Sequence, residues 1–221
     1  MGALIFDFDG VIADSETIAN TVLAETVTQL GYSTTLDQAL ARYSGRRWDE
    51  AMAEIEAAVG KPLPSDFSSE LKRATLDRFR TDLREVSGAA QFIKRFAHIP
   101  RCIASSSSID RLQLCLSSLA LEAEFGDHVF SADMVARGKP YPDIFLFAAD
   151  KLGAKPSECL VIEDSAGGIK AAVAAGMTAV GLCAASHIRA GHDIKLRDAG
   201  AVHLARSWAE VEEFALRFFG G

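Results

Sequence analysis

Ala3-Leu4-Ile5-Phe6-Asp7-Phe8-Asp9-Gly10 is a short apolar run that closes on two carboxylates and a glycine. A run this brief suits a strand buried on both faces rather than a helix. Alternate side chains of a strand share a side, so Asp7 and Asp9 are expected to face one site. They fall at the carboxyl end of that strand, where open α/β sheets bind ligands. Two neighbouring carboxylates raise each other's pKa unless a cation intervenes, and hard oxygen ligands of this kind suit Mg²⁺. Gly10 lets the chain turn away sharply. Taken alone, the same residues also read as a solvated acidic turn.

Further along, similar runs recur. Cys102-Ile103-Ala104 leads into Ser105-Ser106, and Leu160-Val161-Ile162 leads into Glu163-Asp164. His128 to Ala132, Thr178 to Leu182 and a peripheral Ala201-Val202-His203 are further strand candidates. Helical periods lie between them. Ser108 precedes a helix carrying Leu112, Cys115, Leu116 and Leu119, and Ile144 to Leu152 follows the helix-start pair Pro142-Asp143. Ser165 is placed to cap Ala166 to Ala175, with Gly176 as its stop. Strands alternating with helices imply parallel pairing through right-handed crossovers. The expected class is α/β, a Rossmann-like three-layer parallel-sheet core.

From about Ser15 to Leu83 the alternation fails. Ile18, Val22, Val27 and Leu30 share one helical face; Trp48, Met52, Ile55 and Val59 share another; Phe67, Leu71, Leu76, Phe79 and Leu83 make a third. Such amphipathic helices can bury a small core of their own. The predicted organisation is a core of residues 1–15 and 84–221 with an all-helical insertion over 16–83.

Composition narrows the function. The 221 residues are 49% hydrophobic and 24% charged, with a net charge of −7, which gives no reason to expect a nucleic-acid face. No apolar run approaches the ~20 residues that span a bilayer, so no membrane partner is expected. The four cysteines form no Cys-x-x-Cys pair and read as buried thiols of a reduced compartment. Met1 to Phe6 lacks a basic leader, and a cytoplasmic monomer is the expectation.

Three further clusters carry possible chemistry. Glu163-Asp164-Ser165 sets acids at a strand end before a capped helix, which serves a metal or only the helix dipole. Ser105-Ser106 joins a strand to a helix start, where hydroxyls and N–H groups bind phosphate or simply cap. Lys139, between Gly138 and Pro140, could neutralise phosphate, or stand in solvent like most loop lysines. Acid, hydroxyl, amine and acid at strand ends are together the parts a phosphoryl-transfer site needs.

At this point a family resemblance enters. Asp7-Phe8-Asp9-Gly10-Val11, Ser105, Lys139-Pro140 and Glu163-Asp164 resemble the four motifs of the haloacid dehalogenase superfamily, over essentially the whole chain. The runs Asp9 to Glu16, Gly138 to Asp143 and Ile162 to Gly168 resemble the branch holding β-phosphoglucomutase and small sugar-phosphate phosphatases. The resemblance implies a Mg²⁺-dependent phosphatase with Asp7 as nucleophile and Asp9 as general acid and base. It implies a metal held by the Asp7 carboxylate, the Asp9 backbone carbonyl and Asp164, with Glu163 close by. Ser105 and the Ser106 N–H would cradle phosphate, and Lys139 would offset its charge.

The helical insertion would be the cap, with Arg46, Arg47 and Lys72 as candidates for contact with a small phosphorylated substrate. Asp9 separates this chain from the dehalogenases and phosphonatases of the superfamily, which lack the second aspartate. Ala19 and Trp48 stand where the mutase has a histidine and an arginine, so hydrolysis of a small phosphorylated sugar or sugar acid is expected over a phosphosugar mutase; retention of every motif residue speaks against the other alternative, a catalytically silent binding protein. His187 and His192 form no familiar metal site by spacing or neighbours.

Overall fold

A computed structural model describes residues 2–43 and 48–220. The chain divides into two compact units, one of Met1–Asp14 with Arg84–Gly221 and one of Ser15–Leu83.

The larger unit is built on six parallel strands: β1 (Ala3–Phe6), β2 (Arg101–Ser105), β3 (Val129–Ser131), β4 (Cys159–Glu163), β5 (Thr178–Leu182) and β6 (His203–Ala205). Their order is β3-β2-β1-β4-β5-β6. Among the described residues the other unit has four helices, which follow β1 in the chain. They are α1 (Glu16–Gln29), α2 (Leu36–Tyr43), α3 (Trp48–Val59) and α4 (Phe67–Asp82). The core then adds α5 (Ala89–Arg95), α6 (Ile109–Leu119), α7 (Glu122–Phe125), α8 (Asp143–Lys151), α9 (Ala166–Ala174), α10 (His192–Asp198) and α11 (Trp208–Phe219).

Strand β1 shows how the layers arise. Its four residues are all buried, as a strand covered on both faces must be. Ala3 and Ile5 face a cluster with Ile144, Phe145 and Ala148 of α8 and Ile169 and Ala172 of α9. Phe6 packs instead against Phe92 of α5, Phe125 of α7 and Trp208 of α11, each ring centroid 6.0 Å away. Burying each such large side chain contributes roughly 1.5–3 kcal/mol. Helices thus cover both faces, giving the three-layer Rossmann-like arrangement. The strand order reverses at β1, so the carboxyl ends of β1, β2 and β4 meet where such sheets open a crevice.

Strand boundaries depart from the sequence reading at two points. β1 ends at Phe6, not Phe8. Asp7 N–H still donates to Ile162 O of β4, but the chain then curls, with Ile12 and Ala13 N–H both donating to Phe8 O. Gly10 makes this curl possible, with φ of +76°. β6 begins at His203, and Val202 is left exposed before it.

In the helical unit, Val22, Leu23 and Val27 of α1, Tyr43 of α2, Ile55 of α3 and Phe67 and Leu71 of α4 form one buried cluster. Trp48 is not part of that core. It is 43% exposed, stacked on Phe67, and its indole N–H donates to Ser68 Oγ at 3.1 Å. No helix of the described residues is long and apolar enough to cross a membrane.

Candidate active site

The residues after β1 and β4, with one loop lysine, meet in a buried charged cluster. Lys139 Nζ donates to Asp7 Oδ1 at 2.7 Å and to Glu163 Oε1 at 2.6 Å. Its side chain is only 6% exposed and its ammonium lies 4.9 Å from the Phe145 ring centroid. Burial works against the ammonium, yet Asp7 and Glu163 overcome it and hold Lys139 above the ordinary lysine range. The sequence alternative of a solvated loop lysine is therefore set aside.

Asp7, Glu163 and Asp164 each offer a carboxylate oxygen within 4.8 Å of the others, and all three are buried. Burial pushes the Asp7 carboxyl well up, and Glu163 and Asp164 push it the same way, against the pull of Lys139. Lys139 bonds two of these three carboxylates. A hard divalent cation suits this donor set, since it would complete the charge balance with oxygen ligands alone. Asp7's acidic neighbours are Glu163 and Asp164. The strand-alternation argument does not reach Asp9, because β1 ends at Phe6.

The Asp9 side chain is held by two residues from the β2–α6 stretch. Ser107 Oγ donates to Asp9 Oδ2 at 2.5 Å and Arg111 donates to Oδ1 at 2.6 Å. Ser107 and Arg111 were not singled out in the sequence. Ser107 precedes the N-cap Ser108 of α6 and Arg111 lies in its first turn, so no local pattern pairs them; it is Asp9 that brings them together. Ser105 is the last residue of β2 and is buried; its Oγ accepts from Ser107 N–H at 3.1 Å. Ser106 follows it and is exposed. Ser131 Oγ of β3 donates to Ser107 O at 2.8 Å, fastening the serine turn to the sheet.

Lys72 is exposed on α4 of the helical unit. Arg46 and Arg47 lie outside the described residues. Two residues given no role from sequence stand against Asp164. His187 Nε2 is 3.3 Å from Asp164 Oδ2, and His192 Nε2 donates to Asp164 O at 2.5 Å.

Glycines let the acids approach so closely. A Cβ on Gly10 would overlap the Asp164 carboxylate, and a Cβ on Gly168 would overlap that of Glu163. Glu163 has no room to yield. It is fully buried, bound to Lys139 through Oε1, and accepts from Ser165 N–H and Oγ through Oε2. Gly168→Ala is therefore expected to destabilise the fold by roughly 1–3 kcal/mol, the ordinary cost of overpacking a closed site. Denaturant unfolding measures it; an unchanged midpoint would show that Glu163 can move aside.

Comparisons with known proteins identify the family. The family model described as haloacid dehalogenase-like hydrolase matches residues 1–176. The fructose-1-phosphate phosphatase YqaB of Escherichia coli is 32% identical, over 80% of this chain and 94% of its own. The 6-phosphogluconate phosphatase of the same organism is 25% identical, over 84% of each chain. Among solved structures, a HAD family hydrolase from Deinococcus radiodurans with bound phosphate and sodium superposes with a TM-score of 0.83. It is 32% identical and aligns over 99% of this chain and 96% of its own.

Proposed function

This chain belongs to the haloacid dehalogenase-like hydrolases and is a phosphatase of that family, and we propose that it hydrolyses a small phosphorylated sugar or sugar acid through a phosphoryl group held on Asp7. The observation that carries this reading is the shared contact of Lys139 with Asp7 and Glu163 beside Asp164. That arrangement supports a reading with Asp7 as the nucleophilic carboxylate, Lys139 as a fixed cation and Asp164, with Glu163 adjacent, as the metal-binding acids. The substrate class rests on two relatives, named as phosphatases of fructose 1-phosphate and 6-phosphogluconate.

We assign the acidic cluster to Mg²⁺, with the Asp7 carboxylate, the Asp9 backbone carbonyl and Asp164 as ligands and Glu163 adjacent. Bound there, the cation would neutralise phosphate charge and favour attack at phosphorus. An Asp7 carboxylate oxygen attacks phosphorus in line, forming an acyl-phosphate O–P bond as the ester P–O bond breaks. Asp9 gives its proton to the departing sugar oxygen. Water then attacks the same phosphorus, Asp9 takes a proton from it, and the acyl-phosphate bond breaks. Asp7 returns to a carboxylate and inorganic phosphate leaves. Ser105 and the Ser106 N–H bind the transferred phosphoryl oxygens, and Lys139 offsets their charge. Asp9 must turn from its contacts with Ser107 and Arg111 to act, because both of its oxygens accept hydrogen bonds there. The helical unit is assigned as the cap that selects substrate, with Lys72, Arg46 and Arg47 as its candidate anion contacts.

The purified chain is tested with Mg²⁺ and a panel of sugar and sugar-acid phosphates, by release of inorganic phosphate. Release from several members, abolished by a chelator, is the expected result. Recovery of the phosphoryl group on another sugar hydroxyl would mark a mutase instead. No release across the panel would favour a silent binding protein.

A further inference from the structure

We propose that the segment between β5 and α10 is a support for the acidic cluster, in which His187 and His192 are positioning residues that hold Asp164 for a divalent cation. The proposal rests on the metal-dependent reading above.

A carboxylate that gives one oxygen to a cation keeps two freedoms that weaken it as a ligand: rotation of its side chain, and movement of the backbone that carries it. Metal sites remove these freedoms with hydrogen-bonding partners behind the ligand. Asp164 has one for each. His192, the first residue of α10, donates from Nε2 to the Asp164 carbonyl at 2.5 Å, which fixes the main chain where it leaves β4. His187 brings Nε2 to 3.3 Å from Asp164 Oδ2, where an N–H on that nitrogen would restrain the carboxylate. The two imidazoles pack edge to face, ring centroids 5.9 Å apart, so each braces the other.

The segment is itself anchored. Cys183 N–H donates to Ala205 O at 2.7 Å. Ser186 N–H and Oγ donate to Asp14 Oδ1 at 3.1 and 2.8 Å. The His187 ring also lies where a Cβ on Gly10 would touch it, at 2.9 Å from Cε1. The loop after β1, the acid after β4 and the segment after β5 are thereby locked to one another. His187 does not join the carboxylates whose oxygens lie within 4.8 Å of one another. It acts one step behind the cation, through Asp164.

Mn²⁺ binding to the full chain tests this, with free ion read by paramagnetic resonance and melting followed with and without the ion. His187→Leu, which removes the donor but keeps bulk, is expected to weaken Mn²⁺ binding by about 10–100-fold. The melting temperature without cation should stay near that of the parent, and the rise on adding Mn²⁺ should shrink. His187→Gln, which keeps an N–H, should recover much of the affinity. His192→Phe alone should also weaken binding. Should the leucine variant fail to fold, the affinity lost in His192→Phe and in His187→Ser carries the test. Variants that bind Mn²⁺ as tightly as the parent would overturn the proposal and leave the phosphatase reading standing. A parent chain that binds no Mn²⁺ would overturn both.

Discussion

Asp7→Asn is expected to abolish phosphate release, by a factor on the order of 10⁴ or more. The change is nearly isosteric, and the amide oxygen can still accept from Lys139, which now bonds Asp7 Oδ1. What disappears is the anionic oxygen that attacks phosphorus. Nor should the fold suffer. Burial and the acids beside it already press Asp7 toward its neutral form, so an uncharged side chain relieves like-charge repulsion with Glu163 and Asp164. Loss of activity with unchanged or raised melting temperature is thus the signature of a nucleophile, not of a structural acid.

Asp9→Asn gives the contrast. Proton transfer supplies only about 10²–10⁴ of a rate enhancement, while accelerations of phosphate monoester hydrolysis reach ~10²¹. A slow but measurable residue of turnover is expected, and radiolabelled phosphate should remain attached to quenched protein. Rapid turnover by purified Asp7→Asn would contradict the covalent route.

The site divides into parts the sequence revealed and parts it hid. Asp7, Ser105, Glu163 and Asp164 were legible because each ends or follows an apolar run, and strand ends meet at one edge of a parallel sheet. Lys139 was legible only in company. A loop lysine is ordinarily solvated, and its burial depends on acids 132 and 24 residues away. The bearing of Asp9 was hidden, since period-two alternation ends when β1 stops at Phe6 and the chain curls onto Phe8 O.

His187 and His192 were hidden for a stronger reason. Their partner is the residue after a different strand, and nothing local to Ser186-His187-Ile188 records that the loop folds back onto it. Helix α2 was hidden by its length and not by its pattern: Leu36, Ala39, Leu40 and Tyr43 recur at helical spacing, but over only eight residues. Long patterns and strand ends are written locally. Partners chosen by loops are not.

Replacing Lys139 should bring the largest loss of stability. Lys139→Met keeps length and packing against Phe145 but removes the only cation that bonds Asp7 and Glu163 among the described contacts. Glu163 is fully buried, and breaking a buried pair from one side costs about 3–5 kcal/mol because the partner charge is left uncompensated. That deficit is expected in denaturant unfolding with divalent cations chelated.

Its pH dependence follows from Asp7, whose carboxyl is already raised and would rise further without the pull of the ammonium. An acid whose pKa is higher folded than unfolded favours the folded state below its unfolded pKa, and that support is lost as pH rises through the folded value. The gap between parent and variant should therefore be wider at neutral pH than at acid pH. Mg²⁺ should narrow it at neutral pH, because the cation replaces part of the missing positive charge. Activity should remain low even then. A dication held by carboxylates cannot also stand where Lys139 bridges Asp7 and Glu163, and electrostatic support aimed at the reacting phosphoryl group is the larger share of the catalysis. A variant as stable as the parent in chelator would mean that Asp7 and Glu163 do not depend on Lys139, and the charge balance drawn for the whole cluster would have to be abandoned.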